Sequence, residues 1–507
     1  MRKKFYVFAT ICTFALALCA CGKKEVKYQP DSQATQSDAE DGEEGGNKLE
    51  GGLAKSLGVE DKLVESVTTD DGGTVKIFGE VIVPDATELN VYTTTKKSFD
   101  DLEIRKSIVE KISDDGKIYS AKEENLPAYI LTKRANDSKN SIQFLEEEMQ
   151  NVQEESVKND YQTYYQEEKE NYDRYQNLIA NAGDEFVETT YEDWKASEDI
   201  ADDAPKYSYY ECQVIIMRDG KPWYLMVDQY SGMTLTAVDY RDFFPDKAEE
   251  YASMEGGIYK DGMGKVMDDD ARATYEEPAL EFIRSLGIGE FASQGRLYST
   301  NFYGTAEVDG KMESKPVGDL NAYILAFSRN LDGVSTDSYS YWSMATYENV
   351  EEANTYQDIE KYPSEEILVS VGPDGKILGF NAKGLVETPT VQTQGVELLS
   401  FEQVKEIILN QMQTNPPVNG SGWSSQDDNT IIYDPVTNYG NLTLEYFRMP
   451  DENDENQFTL IPVWCLEGEM TDSYSAVNLL INAMDGSVID PGKILFKKEK
   501  WDMNGVG

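Results

Sequence analysis

Histidine is absent from the 507-residue chain, and this absence excludes several kinds of active site. Ser-His-Asp and Cys-His catalysis need an imidazole, and so does every histidine-ligated zinc or iron site. Any catalysis would depend on Asp, Glu, Tyr, Lys, Cys or Ser alone. The sequence also contains no P-loop, no GxSxG elbow and no CxxC pair. We therefore expect a protein that is not an enzyme and has no cofactor.

Positive charge is scarce as well. The chain has 46 basic and 94 acidic residues, which give a formal net charge of -48. Nucleic-acid binding depends on clustered Lys and Arg, so we expect no nucleic-acid partner. The same imbalance argues against direct adhesion to anionic lipid. An acidic surface of this kind is typical of a well-solvated protein, and a divalent-cation role is the alternative.

Two acidic runs are weak candidates for that role. The run "DENDEN" offers closely spaced oxygen ligands at Asp451, Asn453 and Asp454, as calcium loops do. It lacks the central Gly and the trailing Glu of an EF-hand. The run "MDDDAR", with Asp268 to Asp270, is equally incomplete. We therefore expect no bound metal, with calcium at the first run as the alternative.

Long apolar runs are missing except at the N-terminus. Three basic residues precede "FYVFATICTFALAL", which is too short to span a bilayer and is followed by Gly22 and two lysines. This layout is typical of a signal peptide. The stretch Leu18 to Gly22 resembles the lipobox of bacterial lipoproteins. That resemblance implies cleavage between Ala20 and Cys21, S-diacylglycerol and N-acylation of Cys21, and a lipid-anchored location on the outer face of the cell membrane.

Only two of the five cysteines are left for the folded body, because Cys12 and Cys19 would depart with the signal peptide and Cys21 would be acylated. Cys212 and Cys465 each lie in an apolar, strand-like run. Two cysteines do not make a disulfide framework. We expect two buried thiols, with a disulfide between them as the alternative.

The composition changes along the chain and predicts five segments. Residues 1–20 form the signal peptide, and residues 21–72 form a flexible acidic tether with few large apolar side chains. An N-terminal α+β domain at 73–250 contains a long acidic helix from about 138 to 182 and a β-meander with an Asp-Gly turn at Asp219. Two further α+β units follow at 251–392 and 393–507.

The last two units use one plan twice. The first begins with "PALEFIRSLG", in which Ala279, Phe282, Ile283 and Leu286 have helical spacing and Gly287 caps the end. The second begins with "SFEQVKEIILNQM", in which Ser400 and Gln403 form a capping box. Strands and Asp-Gly hairpins follow each helix. The fold class is therefore α+β, with antiparallel sheets each packed against a helix.

The C-terminal half resembles a known domain family. The strand "PVW" at Pro462 to Trp464 and the closing hairpin "NAMDG" at Asn482 to Gly486 resemble PepSY-type domains and YycI-like extracytoplasmic regulators. This implies at least two tandem units and a non-catalytic role on proteases or sensor kinases. YycI-like proteins have a spanning helix where this chain has a lipobox. As a whole, the chain resembles uncharacterised lipoproteins of gut Firmicutes.

Three functions follow, in order of preference. The first is a lipid-anchored, non-catalytic binding or regulatory module, whose partner is a protein or an envelope polymer. The second is a solute-binding lipoprotein of an uptake system, and the third is a hydrolase without histidine. Trp423, in a loop rich in Gly and Ser, is the candidate for an exposed ligand contact.

Overall fold

The structure is a computed structural model. It describes residues 52–99, 101–152, 155–195, 212–228, 232–244, 247, 250–251, 253–258, 264–308, 311–317, 320–331, 333–336, 352, 356–418, 423–424, 431–432, 436–468 and 478–500. The helices are α1 (Gly52–Leu57), α2 (Leu102–Ile112), α3 (Ala128–Asn151), α4 (Glu155–Ile179), α5 (Asp269–Ala271), α6 (Glu277–Leu286), α7 (Phe401–Thr414) and α8 (Pro491–Leu495). A π-helical turn, Arg272–Glu276, joins α5 to α6, and Glu123–Asn125 and Tyr240–Asp242 are 3₁₀ turns.

The strands are β1 (Lys62–Thr68), β2 (Thr74–Ile82), β3 (Val91–Thr95), β4 (Tyr119–Ser120), β5 (Gln213–Arg218), β6 (Lys221–Val227), β7 (Met233–Ala237), β8 (Ser253–Gly257), β9 (Lys265–Val266), β10 (Phe291–Ser299), β11 (Asn301–Val308), β12 (Lys311–Pro316), β13 (Tyr323–Leu331), β14 (Val334–Ser335), β15 (Tyr356–Glu360), β16 (Glu366–Val371), β17 (Ile377–Lys383), β18 (Thr390–Thr393), β19 (Trp423–Ser424), β20 (Ile431–Ile432), β21 (Asn438–Pro450), β22 (Gln457–Gly468), β23 (Leu479–Asn482), β24 (Val488–Ile489) and β25 (Phe496–Lys500). Helices and antiparallel sheets together make an α+β protein, as the sequence predicts.

The chain divides into two compact units, and neither is a continuous segment. The first unit comprises the described residues up to 95, those from 330 to 364, and those from 388 onward. The second unit comprises residues 96–329 and 365–387. This division differs from the predicted run of consecutive domains at 73–250, 251–392 and 393–507. The division into discontinuous units arises from pairing between strands that are distant in sequence, and such pairing cannot be predicted from local periodicity.

In the first unit, a mixed sheet has the strand order β1-β2-β21-β22-β23-β24, with β3 pairing β22 and β18 pairing β3. The strands β2 and β21 are parallel, and the other pairs are antiparallel. At the parallel pair, a Cβ on Gly79 would lie 2.1 Å from the carbonyl oxygen of Gly440, so this close approach requires glycine.

Helix α7 covers one face of this sheet. Its capping box is present, because Ser400 and Gln403 bond reciprocally as the sequence predicts. Phe401, Val404, Ile408 and Met412 are buried against core strands. A separate apolar cluster covers part of the opposite face and includes Phe447, Val463, Cys465 and Leu495. The first unit is thus a helix packed on a largely antiparallel sheet.

The second unit is built on an antiparallel sheet with the strand order β4-β5-β6-β7-β17-β16-β13-β10-β9. Helices α2 and α6 contribute to the core on one face, and all four apolar residues predicted to point inward from α6 are buried. Gly287 ends α6 at φ 67°, and Asp219 and Gly220 form the β5–β6 turn at φ 52° and 68°. These local predictions are confirmed.

The predicted long acidic helix is instead two helices. Val152 has extended dihedral angles and ends α3, and α4 begins at Glu155. The pair is antiparallel, since Tyr165 of α4 bonds Glu146 of α3 while Tyr175 lies against Arg134. Tyrosines of α4 thus contact α3, and the helical pattern over 138–182 belongs to two helices that pack on each other. The base of this hairpin packs on Ile215 and Tyr224 of the sheet.

The folded body begins earlier along the chain than the predicted boundary at residue 73. Residues 52–72 were assigned to the tether, but α1 and β1 belong to the first unit, and Leu53, Leu57 and Leu63 are buried there. These few apolar side chains are enough to anchor α1 and β1, because β21, a strand from far along the chain, completes the sheet beside β2. The cap of α2 is Asp101, which accepts from the Glu103 N–H.

Candidate functional site

The predicted anchor lies outside the described residues. Ala20 and Cys21 belong to the part of the chain that the structure does not describe, so lipidation stays a prediction. Trp423 lies in β19 and pairs with Ile432, but its side chain is also outside the described part. Among the described residues, no helix is both long and apolar enough to cross a membrane.

The acidic run at 451–456 forms the turn between β21 and β22. The Asp451 Oδ1 atom accepts from the N–H groups of Asn453 at 2.7 Å and Asp454 at 3.1 Å. The Asp454 Oδ1 atom accepts from the Asn456 N–H at 3.0 Å. These carboxylates therefore bond their own turn. Within the described ranges, no three His, Cys, Asp or Glu side chains are grouped to hold a metal ion.

The cysteines of the folded body are both buried free thiols. Burial raises the pKa of the Cys465 thiol, and the neighbouring carboxylates of Glu445 and Glu467 raise it further. A protonated, enclosed thiol is a poor nucleophile. Cys212 and Cys465 lie in different units and are not disulfide-bonded, so the alternative of a disulfide is wrong.

The candidate site is a groove in the first unit between β1 and α7. Its volume is about 580 Å³. Residues Glu65 to Thr68 of β1 form one wall, and the helix wall consists of Glu402, Lys405, Glu406, Leu409, Asn410 and Gln413. The helix residues recur at three- and four-residue intervals, so they form one stripe along α7. A second stripe on the same helix is buried in the core, and the groove therefore follows a rigid element.

The strand wall of this groove is the edge of a sheet. Within the part of the chain that the structure describes, no strand pairs with β1 on the side away from β2. The Thr69 N–H donates to Gly73 O, and the Val81 N–H donates to Asp61 O. These bonds make the odd-numbered residues of β1 the hydrogen-bonded partners of β2. The even-numbered residues, including Val64, Ser66 and Thr68, direct their N–H and C=O groups to the open edge.

The groove is negatively charged. Glu402 and Glu406 are exposed on the helix wall, and Glu65 lies on the strand wall. Lys405 Nζ lies 2.8 Å from Glu65 Oε1, with the two side chains 19% and 30% exposed. The bond to Glu65 raises the pKa of the Lys405 ammonium. One lysine thus faces three carboxylates, and its charge is already engaged by one of them.

Both ends of the groove are held by specific contacts. At one end, the Asp70 N–H donates to Gln413 O at 2.9 Å, and Gln413 Nε2 donates to Asp70 Oδ1 at 3.3 Å. At the other end, the capping box fixes the start of α7. This site is not evident in the sequence, because its two walls are more than 330 residues apart in the chain. Only the two-residue alternation in "KLVESVT" could have signalled a strand there.

Comparison with known proteins gives little similarity. No protein-family model matches the sequence, and a search of curated proteins finds no match. Among solved structures, an uncharacterised protein from Eubacterium rectale aligns with 86% of this chain and 97% of its own, at 13% identity and a TM-score of 0.34. The C-terminal domain of Bacillus megaterium YpeB aligns with 61% of this chain and 88% of its own, at 11% identity and a TM-score of 0.22. At these scores the alignments carry no functional assignment.

Proposed function

We propose that this protein is a lipid-anchored, extracytoplasmic binding module that takes up an extended segment of a partner protein at the open edge of β1. The observation that carries the proposal is the groove of about 580 Å³ between that edge and α7. Unpaired edge groups form a template for another strand. Peptides that add to a sheet edge obtain affinity from main-chain hydrogen bonds.

The site is built for binding rather than for chemistry. Its polar side chains are carboxylates, amides, hydroxyls and one paired lysine, and the chain has no histidine. The helix-on-sheet arrangement of each unit supports a PepSY-like or YycI-like assignment, in which non-catalytic units act on a protein partner. The lipobox at Cys21 supports an anchor on the outer face of the cell membrane. An envelope polymer is the alternative partner.

The decisive experiment removes a main-chain donor from the open edge and retains the charged side chains of the groove. The Ser66→Pro substitution removes one N–H that faces the open edge, and proline is tolerated on edge strands in this orientation. Ser66→Ala is the matched control, because it removes the hydroxyl and retains the N–H. Ten-residue peptides are selected by display against the full mature chain, and their affinities for the three proteins are compared. Thermal melting verifies that each variant is folded.

We expect the selected peptides to bind Ser66→Pro at least about tenfold more weakly than the native chain and to bind Ser66→Ala normally. Amide hydrogen exchange at Val64, Ser66 and Thr68 should also slow when a peptide is bound. Peptides whose binding is unaffected by Ser66→Pro would show that the edge is not the site. Failure to select any peptide would refute the proposed function.

A further inference from the structure

The chemistry on the two sides of β1 specifies the partner segment, if the proposed function holds. A strand added beside β1 would extend the same sheet, so its successive side chains would point to opposite faces. One set would lie beside the even-numbered side chains of β1, on the outer face. The other set would lie beside Glu65 and Val67, on the face toward α7.

The outer face beside this edge carries exposed apolar side chains set between exposed polar ones such as Lys76 and Glu80. Val64 and Phe78 are register partners in β1 and β2, and their residues are 57% and 71% exposed. They form a non-hydrogen-bonded pair, which brings the two side chains close together. Ile82, on the same face of β2, is 44% exposed. We call these three residues the outer patch.

Elsewhere on this face, apolar side chains are covered. Phe447 and Val463, on β21 and β22, are buried in the cluster that includes Leu495. Among the described residues of this face, the exposed large apolar side chains therefore lie on β1 and β2. An apolar side chain on an added strand would pack beside Val64 and extend the outer patch.

The inner face has the opposite character. A side chain entering the groove meets Glu402 and Glu406, with Val67 and Leu409 among the lining residues. A lysine or arginine side chain can contact both kinds of lining residue, because its methylene stem packs on apolar atoms and its charged end reaches the carboxylates. An acidic side chain there would add to the existing negative charge.

We infer that the partner segment is an extended strand in which apolar and basic residues alternate. Its apolar side chains pack on the outer patch, and its basic side chains enter the groove against Glu402 and Glu406. Charge complementarity with the groove and apolar contact with the outer patch together fix the register of the added strand, because a shift by one residue reverses both.

Three fluorescein-labelled ten-residue peptides test this inference. One alternates valine and lysine, one has the same composition in two blocks, and one alternates valine and glutamate. Binding is measured by fluorescence anisotropy to the full mature chain in zwitterionic nanodiscs, with empty nanodiscs as the blank. We expect the alternating valine–lysine peptide to bind about tenfold more tightly than either of the others.

Matched variants separate the two faces. Glu406→Lys should reduce the affinity for the valine–lysine peptide about tenfold and shift the preference toward glutamate, while Glu110→Lys, on exposed α2 surface in the second unit, should have no effect. Val64→Asp should weaken binding comparably. Val391→Asp is its control, because Val391 is 54% exposed on β18, at the other end of the same sheet.

The outcomes distinguish this inference from the proposed function. If the block or glutamate peptide binds as tightly as the valine–lysine peptide, and Ser66→Pro abolishes that binding, strand addition stands and the alternating pattern is wrong. Equal effects of Val64→Asp and Val391→Asp would likewise refute the outer patch as a contact. If neither these peptides nor any displayed peptide binds, both proposals are refuted.

Discussion

The buried ion pair of the second unit allows a quantitative test of the structure. Arg329 at the end of β13 and Glu365 just before β16 have side chains that are 2% and 3% exposed. The pair is bidentate, with Arg329 Nε 2.6 Å from Glu365 Oε2 and Nη2 2.7 Å from Oε1. Nη2 also donates to the carbonyl oxygens of Ile288 and Val386, at 3.2 and 3.1 Å.

The substitution Glu365→Gln retains the size of the side chain and removes its charge. The guanidinium then stays buried with two neutral carbonyl groups and no counter-charge. Leaving one member of a buried pair uncompensated typically costs about 3–5 kcal/mol, and the two carbonyl bonds favour the lower end of this range. A loss of about 3 kcal/mol corresponds to a fall in Tm of roughly 6–12 °C for a unit of this size.

Differential scanning calorimetry at pH 7 measures this change. Glu103→Gln is the control, because Glu103 pairs with Lys106 at 2.8 Å while its side chain is 81% exposed, and such exposed pairs contribute little to stability. Adding Arg329→Met to Glu365→Gln removes the orphaned charge and should restore most of the stability. If Glu365→Gln melts within about 1 °C of the native chain, the ion pair of Arg329 and Glu365 is not desolvated, and the reasoning from a buried pair is wrong.

Four further predictions concern buried tyrosines of the first unit, the two buried cysteines and the N-terminus. Tyr439 has a buried hydroxyl with no hydrogen-bond partner among the described residues, so Tyr439→Phe should raise the free energy of unfolding by about 1 kcal/mol. Tyr446→Phe is the comparison. It should lower the free energy of unfolding by a similar amount, because the Tyr446 hydroxyl accepts from the Asn90 N–H at 3.0 Å. Burial raises the pKa of Tyr439, so the unfolded chain loses this proton first and stability should fall above about pH 10 in urea titrations; an equal loss in Tyr439→Phe would contradict this cause. Cys212 and Cys465 should resist a thiol reagent at pH 8 until the chain is unfolded, when both react; rapid labelling of the native chain would contradict their burial. Cys21→Ala should abolish incorporation of an alkyne-labelled fatty acid and release the chain from the membrane fraction; continued incorporation would refute Cys21 as the acylated residue.

Local features were predicted well because neighbouring residues determine them. The spacing of apolar residues in α6, the capping box of α7 and the Asp219-Gly220 turn all appear as expected. Each depends on contacts within a few residues, where periodicity and backbone conformation are directly readable. The single helix predicted over 138–182 shows the limit of this method. A helical pattern does not reveal that this stretch forms two helices, α3 and α4, that pack against each other in antiparallel fashion.

The candidate groove could not be predicted for a related reason. Its walls, β1 and α7, meet because β2 pairs in parallel with β21, more than 350 residues later. Nothing in "KLVESVT" indicates whether that strand lies at the centre of a sheet or at its edge. The prediction of Trp423 as a ligand contact depends on loop composition alone, and its side chain lies outside the described part of the chain.

The sequence by itself determined the inventory of reactive groups and the local backbone. It excludes imidazole chemistry, places the predicted anchor at Cys21, and specifies helices and turns through short-range spacing and caps. Tertiary structure alone decided which strand has a free edge, which glutamates face it, and which apolar side chains stay uncovered. These properties depend on pairing between distant segments, and such pairing follows from the free energy of the whole sheet and core rather than from any one stretch of residues.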